Sequence, residues 1–421
     1  MILKLTIENY LVFSNEIEID LEADMRSKKL SSNVHSFNNI NILKTSVLYG
    51  QNNVGKTCLV KAIKQIKAII LNEKFNIHSH LFKKSPITTM SITFLDTNKI
   101  YSYQFKYDCQ KEEFIFESLN EIVKDEFANK KSILIFKRDY QNNIFSYPMD
   151  QRLETLLPVL SQNNILIYLV DSSKFKSLDQ TKKIMKHFAS KIDIVSMNNM
   201  NLENTIRLLK NENNFQKKIS SFIQNADLYM TDYFYNKGDL NITTNDKSDE
   251  DILNIPEHFI DRIRLTSVYN GIEVPSIFFD STGTKKIAAL AGYVVEALEK
   301  GRIIIVDELD SGIHFKLTRA IVAMFNNELN NSAQALFTVH DINLLDCKKL
   351  FRKEQVFFLD KDEDGVFTYS LGDFTAADGI RDTTDIIEKY KKGLLGAIPN
   401  PQLMNTLLDI KLMNKDESHE T

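Results

Sequence analysis

The stretch "LYGQNNVGKTCLVKAI", Leu48 to Ile63, constrains this chain more than any other part of it. It carries the spacing G-x-x-x-x-G-K-[ST] as Gly50, Gly55, Lys56 and Thr57, behind an apolar run and ahead of a helix-forming one. Glycines at those places let the backbone curl until successive N–H groups converge on an anion at the positive end of the following helix. In that geometry Asn52, Asn53, Val54 and Cys58 join Gly50 and Gly55 around the β-phosphate of a nucleotide. Lys56 reaches the β- and γ-phosphates, and the Thr57 hydroxyl ligates Mg²⁺. The pattern predicts a strand, a phosphate-binding loop and a helix from Thr57 to Ile70, hence an α/β fold.

Bulk properties narrow the remaining possibilities. With 421 residues the chain has room for two to three domain-sized units. Its 52 Lys+Arg against 56 Asp+Glu give a net charge of −4, so any nucleic-acid contact must be a local patch. Cys58, Cys109 and Cys347 are scattered, outside metal-ligand spacing, as expected in a reducing compartment. The amino terminus "MILKLTIENYLVF" is interrupted by polar residues, and no run of about 18 apolar residues occurs. A soluble, cytoplasmic protein with no membrane partner is the expectation.

Apolar and polar residues alternate in "LKLTIENYLVF" and "NEIEIDL", which predicts a β-hairpin turning at Ser14-Asn15. One strand over "NILKTSVLYG" delivers the phosphate loop. Further strands follow in "ITTMSITFLDTNKIYSYQFKYD", joined at Asp96–Asn98, and in "EEFIFESLNEI" and "SILIFKRD", so residues 1–150 read as a nucleotide core beside an antiparallel β subdomain. The period turns helical from about Leu153 to Asp227, and a polar run, "NKGDLNITTNDKSDEDILNIPEH", comes next. Residues 151–262 therefore read as an inserted helical lobe with an exposed loop, 263–400 as the return to the core, and 401–421 as an amphipathic helix with a polar tail.

A phosphate loop needs a metal-binding carboxylate and a group that activates water. "GRIIIVDELDSG" supplies a buried strand, Ile303 to Val306, ending in Asp307 for the Mg²⁺ shell and Glu308 to orient or deprotonate the attacking water. A second apolar strand, "QALFTVHD", ends in His340, placed to contact the γ-phosphate. Between them, Ser281, Thr282, Gly283 and Thr284 open a long helix and can offer a hydroxyl and N–H groups to a phosphate.

The order of these motifs resembles the ABC-type ATPase heads of SMC proteins and of RloA-like and OLD-like bacterial ATPases. "DSTGTKK", "VDELDSGIH", "AQALFTVHDINLLD", "QVFFLDKDEDGVFTYSLGDF" and "YKKGLLGAIP" are most similar to the RloA-like group, with residues 1–60 and 265–400 covered well. The resemblance implies a P-loop NTPase fold with an ABC/SMC-type head: a mixed core sheet flanked by helices, an antiparallel β subdomain and an inserted helical lobe. It implies ATP and Mg²⁺ as cofactors and a homodimer sandwiching two ATP molecules, each phosphate loop facing Ser281, Gly283 and Thr284 of the other subunit. Asp310 would begin the loop crossing that interface, and His340 would be the switch histidine. RloA-like proteins resemble components of phage-defence operons, so the expected role is an ATPase sensor or scaffold controlling a separate effector, a nuclease or toxin.

The chain departs from the family pattern at Asp280 (usually Glu), Phe315 (often Pro) and Val339 (Thr or Ser), and Gln104 and Gln141 are only positional candidates for the Mg²⁺-sensing glutamine. Two other readings stand. Asp360, Asp362, Glu363 and Asp364 could form the metal cluster of an OLD-like nuclease, although D-E-D-G between two β-like runs first predicts a hairpin turn. Lys61, Lys64 and Lys67, or Lys182, Lys183, Lys186 and Lys191, could meet the phosphates of nucleic acid in a repair or chromosome-organising clamp, although such lysines more commonly form a solvated helix face.

Overall fold

The computed structural model describes residues 1–410 apart from 25–26, 38–39, 125–129, 227–228, 239–255, 382, 399–402 and 408–409. Most of the polar run at 236–258 and the tail from 411 lie outside the described residues; 403–407 are helical.

Continuous apolar runs such as Ile303–Val306 can be buried only where both faces of a sheet are covered. They form a six-stranded sheet in the order Ile192–Ser196, Ile303–Asp307, Gln334–Thr338, Thr45–Gly50, Val356–Asp362, Gly365–Ser370. The first five strands run parallel and the last turns back antiparallel. Alternate side chains feed two cores. Leu48, Ile303, Ile305 and Leu336 pack with the helix Lys56–Leu71, while Val47, Ile304, Val306 and Phe337 pack with the helices Thr282–Lys300 and Phe315–Asn326.

The expected hairpin and meander form a seven-stranded antiparallel sheet, ordered Ile144–Ser146, Lys130–Asp139, Glu113–Lys124, Lys99–Asp108, Ile87–Asp96, Ile2–Glu8, Ile17–Asp20. The buried Gln334 side chain joins the two sheets, accepting from Ile2 N at 2.7 Å and donating to Ile2 O at 2.9 Å. A continuous strand over residues 41–50 does not form. Lys44 breaks it, so that Ile40–Leu43 pairs with Val34–Phe37 and only Thr45–Gly50 enters the parallel sheet.

The segment expected as an inserted helical lobe is largely built into the core. The helix Lys176–Ser190 packs against Lys56–Leu71, with Phe188 stacked on Phe94 at 4.0 Å. Ile192–Ser196 is the edge strand beside Ile303–Asp307, in register Ser196↔Asp307. Five residues are too few for periodicity to declare a strand, and what makes them one is the partner 111 residues away. A smaller body remains: the helices Glu203–Asn211 and Asn213–Asn225 and a three-stranded sheet (Asp232–Tyr235, Leu265–Tyr269, Ile272–Pro275), packed on Thr282–Lys300. Among the described residues no helix is long and apolar enough to cross a membrane.

Candidate functional site

Three neighbouring parallel strands, Thr45–Gly50, Gln334–Thr338 and Ile303–Asp307, end side by side, and open α/β sheets bind ligands beyond such carboxyl ends. The phosphate loop leaves the first. Asn52 and Asn53 are exposed, with Asn53 at φ 64°, while Val54 is buried beneath the loop. Gly55 sits at φ 117°, and a Cβ there would meet Val12 Cγ2 at 2.6 Å and Phe13 Cε1 at 2.9 Å. A Cβ on Gly50 would meet Leu359 O at 2.7 Å and Val54 Cγ1 at 2.8 Å. Both glycines are therefore demanded by the turn itself.

The helix Lys56–Leu71 follows with no acidic residue in its first turn and no side-chain cap, so its N-terminal N–H groups keep their pull on an anion. Lys56 folds back over the loop, donating to Gly50 O at 2.6 Å and Gln51 O at 3.0 Å. Burial lowers its ammonium to about 8, against the opposing pull of Asp307, Asp310 and Glu308. Thr57 is exposed at the helix start, and Cys58 is half-buried against the core, where burial raises its thiol. The Gln51 side chain donates to Ile398 O at 2.9 Å, which brings the carboxyl-terminal segment across the loop.

Asp307 ends its strand nearly enclosed, and its Oδ1 accepts from the Thr338 hydroxyl at 2.6 Å. The same Thr338 oxygen accepts the Glu308 N–H at 2.7 Å, with Glu308 in the left-handed region at φ 57°. The backbone thus leaves the extended strand conformation at Glu308. Val339 is buried in the core, and the hydroxyl serving Asp307 comes from Thr338 one residue earlier.

Asp310 uses its carboxylate inside the chain, where Oδ2 accepts from His340 N at 2.7 Å and Asp341 N at 2.5 Å. The exposed His340 is thereby held at the same strand ends as the acidic pair. The phosphate loop, Asp307, Glu308, Asp310 and His340 are all brought to one edge. Glycine cradle, uncapped helix start, a lysine folded over the loop and an adjacent enclosed carboxylate fit a nucleotide phosphate with a divalent cation.

Ser281, Gly283 and Thr284 are not part of that cluster. Ser281 caps the helix Thr282–Lys300 by accepting from Thr284 N at 3.1 Å, and Ser281 and Thr284 share a hydroxyl contact at 2.9 Å. A Cβ on Gly283 would find nothing closer than Gly312 O at 3.5 Å, so the fold of one chain does not require glycine there. The preceding Asp280 is buried, its carboxylate accepting from the Ser267, Ser276 and Tyr269 hydroxyls at 2.7, 2.6 and 2.8 Å. An aspartate of this length fits that cage and pins the start of the helix.

Neither candidate glutamine approaches the site. Gln104 lies mid-strand between Ser91 and Ser118 in the antiparallel sheet, and Gln141 lies in the exposed turn that follows Lys130–Asp139. The amide that reaches the acidic pair is Asn198, just past the strand Ile192–Ser196, which donates to Glu308 Oε2. Sequence reading passed over it because its strand was read as part of a helical lobe.

Several residues of the competing constellations have local partners. Asp362 Oδ1 accepts from Asp364 N at 2.9 Å and Gly365 N at 3.1 Å in a two-residue hairpin turn, and Asp360 Oδ2 accepts from Ala397 N. Lys67 caps Ile192 O at 2.6 Å, Lys183 pairs with Asp179 at 2.7 Å, and Lys182 lies 4.7 Å from the centre of the Tyr168 ring.

Comparison with known proteins adds a family to this geometry. A search of curated proteins finds no match. Among solved structures, the chain is similar to an SMC head domain from Thermotoga maritima, at 10% identity over 88% of this chain and 98% of that one, with a TM-score of 0.41. It is also similar to an SMC head bound to the C-winged helix domain of ScpA, at 12% identity over 90% and 99%, with a TM-score of 0.48. The family model described as "AAA domain, putative AbiEii toxin, Type IV TA system" matches residues 46–346, which span the phosphate loop, the acidic strand and His340. With that match running over most of its length, the chain belongs to this AAA-domain family of P-loop NTPases.

Proposed function

We propose that this chain is an ABC/SMC-type ATPase that dimerises around ATP and Mg²⁺ and uses binding and hydrolysis to control a separate effector in bacterial antiphage defence. The observation that carries the reading is the half-site at Ser281–Thr284. It is a capped helix start with no acidic residue in its first turn, it opens on a glycine that its own chain does not need, and its hydroxyls bond to each other and not to the phosphate loop. Such a surface acquires a use when a second copy presents ATP to it.

Within each site, Lys56 binds the β- and γ-phosphates, and Thr57 and Asp307 hold the cation, which supplies charge neutralisation at the transferred phosphoryl group. Glu308 takes the proton of the attacking water, and His340 contacts the γ-phosphate. A role within a toxin–antitoxin type of system is consistent with the wording of the family's description.

The test is a tagged Glu308→Gln variant. Expected are ATP binding at wild-type affinity, hydrolysis slowed at least about 100-fold by loss of the general base, and a dimer that persists in ATP on a sizing column with light scattering. Purified from phage-challenged cells, it should carry a nuclease or toxin. A monomer at saturating ATP refutes the sandwich, and DNA without a protein partner refutes effector control.

A further inference from the structure

Glu308 and the loop after it are connected by a residue from a different strand. Asn198 stands two residues beyond Ser196, whose strand pairs in parallel with Ile303–Asp307. Its Nδ2 donates to Glu308 Oε2 at 2.5 Å, and its Oδ1 accepts from the Ser311 hydroxyl at 2.8 Å. A primary amide is suited to this, since one side chain gives a donor to the carboxylate and an acceptor to the hydroxyl. The anchor on the other side is also firm. Lys286, on the helix that Ser281 caps, donates to Ser311 O at 3.1 Å. The contacts therefore run from the first turns of the helix Thr282–Lys300 through Ser311 and Asn198 to the carboxylate of Glu308.

The geometry points to Asn198 as the positioning residue of Glu308, tying the carboxylate that activates water to Ser311 and thereby to the surface that a second copy would engage. This rests on the ATPase reading and deepens it. Glu308 itself is only half-buried, at a left-handed backbone position, and its side chain would otherwise choose freely among rotamers; a charge-assisted hydrogen bond from a fixed amide selects one. Ser311 N also donates to Glu308 O at 2.8 Å, so Ser311 holds both the backbone of Glu308 and, through Asn198, its carboxylate, and a shift of this loop on dimer formation re-aims Glu308.

The experiment is a kinetic double-variant cycle. Asn198→Ala should lower kcat by about 10- to 100-fold, the range for a hydrogen bond to a charged group, and leave the dissociation constant for ATP unchanged. In the Glu308→Gln background the same substitution should cause no further loss, since a positioning residue has nothing left to position. Asn198→Gln, which keeps the amide, should restore part of the rate, and Ser311→Ala should give a smaller fall. Asn198 is exposed, so Asn198→Ala should fold, which far-ultraviolet circular dichroism checks. A wild-type kcat in Asn198→Ala, a weakened ATP affinity alone, or a full additional loss in the double variant would overturn the assignment. A wild-type rate in Glu308→Gln alone would instead remove the catalytic reading beneath it.

Discussion

Two glycines in this chain look equivalent in sequence and are not equivalent in structure, which makes Gly55→Ala and Gly283→Ala an informative pair. At Gly55 the new methyl would stand 2.6 Å from Val12 Cγ2 and 2.9 Å from Phe13 Cε1, with the backbone at φ 117°. A side chain in a sparsely populated backbone region costs roughly 1–3 kcal/mol and overpacking a further 1–3, together about 2–6 kcal/mol. Domains are stable by only about 5–15 kcal/mol, so the loop would deform or the fold would lose much of its margin.

At Gly283 the methyl would lie 3.5 Å from Gly312 O, ordinary contact, on a helical residue where alanine is favoured over glycine by about 0.5–1 kcal/mol. Urea unfolding should therefore show Gly55→Ala with a markedly lower midpoint and Gly283→Ala at or slightly above wild type. Binding of a fluorescent ATP analogue should fall in Gly55→Ala and persist in Gly283→Ala, which should instead lose ATP-driven self-association. Wild-type stability and nucleotide affinity in Gly55→Ala, or comparable destabilisation in both variants, would refute the reasoning.

Two further outcomes follow from buried polar groups away from the site. Glu117 is fully buried and accepts from Arg138 Nε at 3.0 Å, Tyr103 OH at 3.0 Å and Leu166 N at 2.9 Å, so Arg138→Met should cost about 3–5 kcal/mol in urea unfolding, and Glu117→Met with Arg138→Met should recover much of it. His35 donates through Nε2 to Ala333 O at 2.9 Å, and burial holds its ring down at about 4. Above pH 6.5 it is neutral in both folded and unfolded chains. Between 6.5 and about 4 only the unfolded chain takes up the proton, so stability falls with acid by at most about 3 kcal/mol. His35→Gln should flatten that slope in unfolding measured between pH 7 and pH 4.5.

The candidate site was legible to the extent that its chemistry is local in the chain. Gly50 to Thr57 form their loop by contiguous spacing, and Ile303 to Glu308 declare a buried strand with an acidic end, because burial on both faces requires an unbroken apolar run. The hairpin at Asp362–Gly365 was equally readable, since Asp362 caps a turn made by its immediate neighbours. What stayed hidden depends on partners far away in sequence. Asn198 owes its place to a five-residue strand whose only warrant is pairing with Ile303–Asp307, and the same pairing draws the supposed helical lobe into the head.

Sequence alone determined that this chain is a P-loop α/β protein with an acidic strand and a histidine-bearing strand, because those signals are carried by residue type at short, fixed intervals. Tertiary structure alone decided which glycine is imposed by packing, which hydroxyl serves Asp307, and which amide holds Glu308. The last two depend on groups 30 to 110 residues apart meeting at 2.5 to 2.7 Å, and the first on Val12 and Phe13 closing over Gly55 from an earlier part of the chain; no local pattern encodes either.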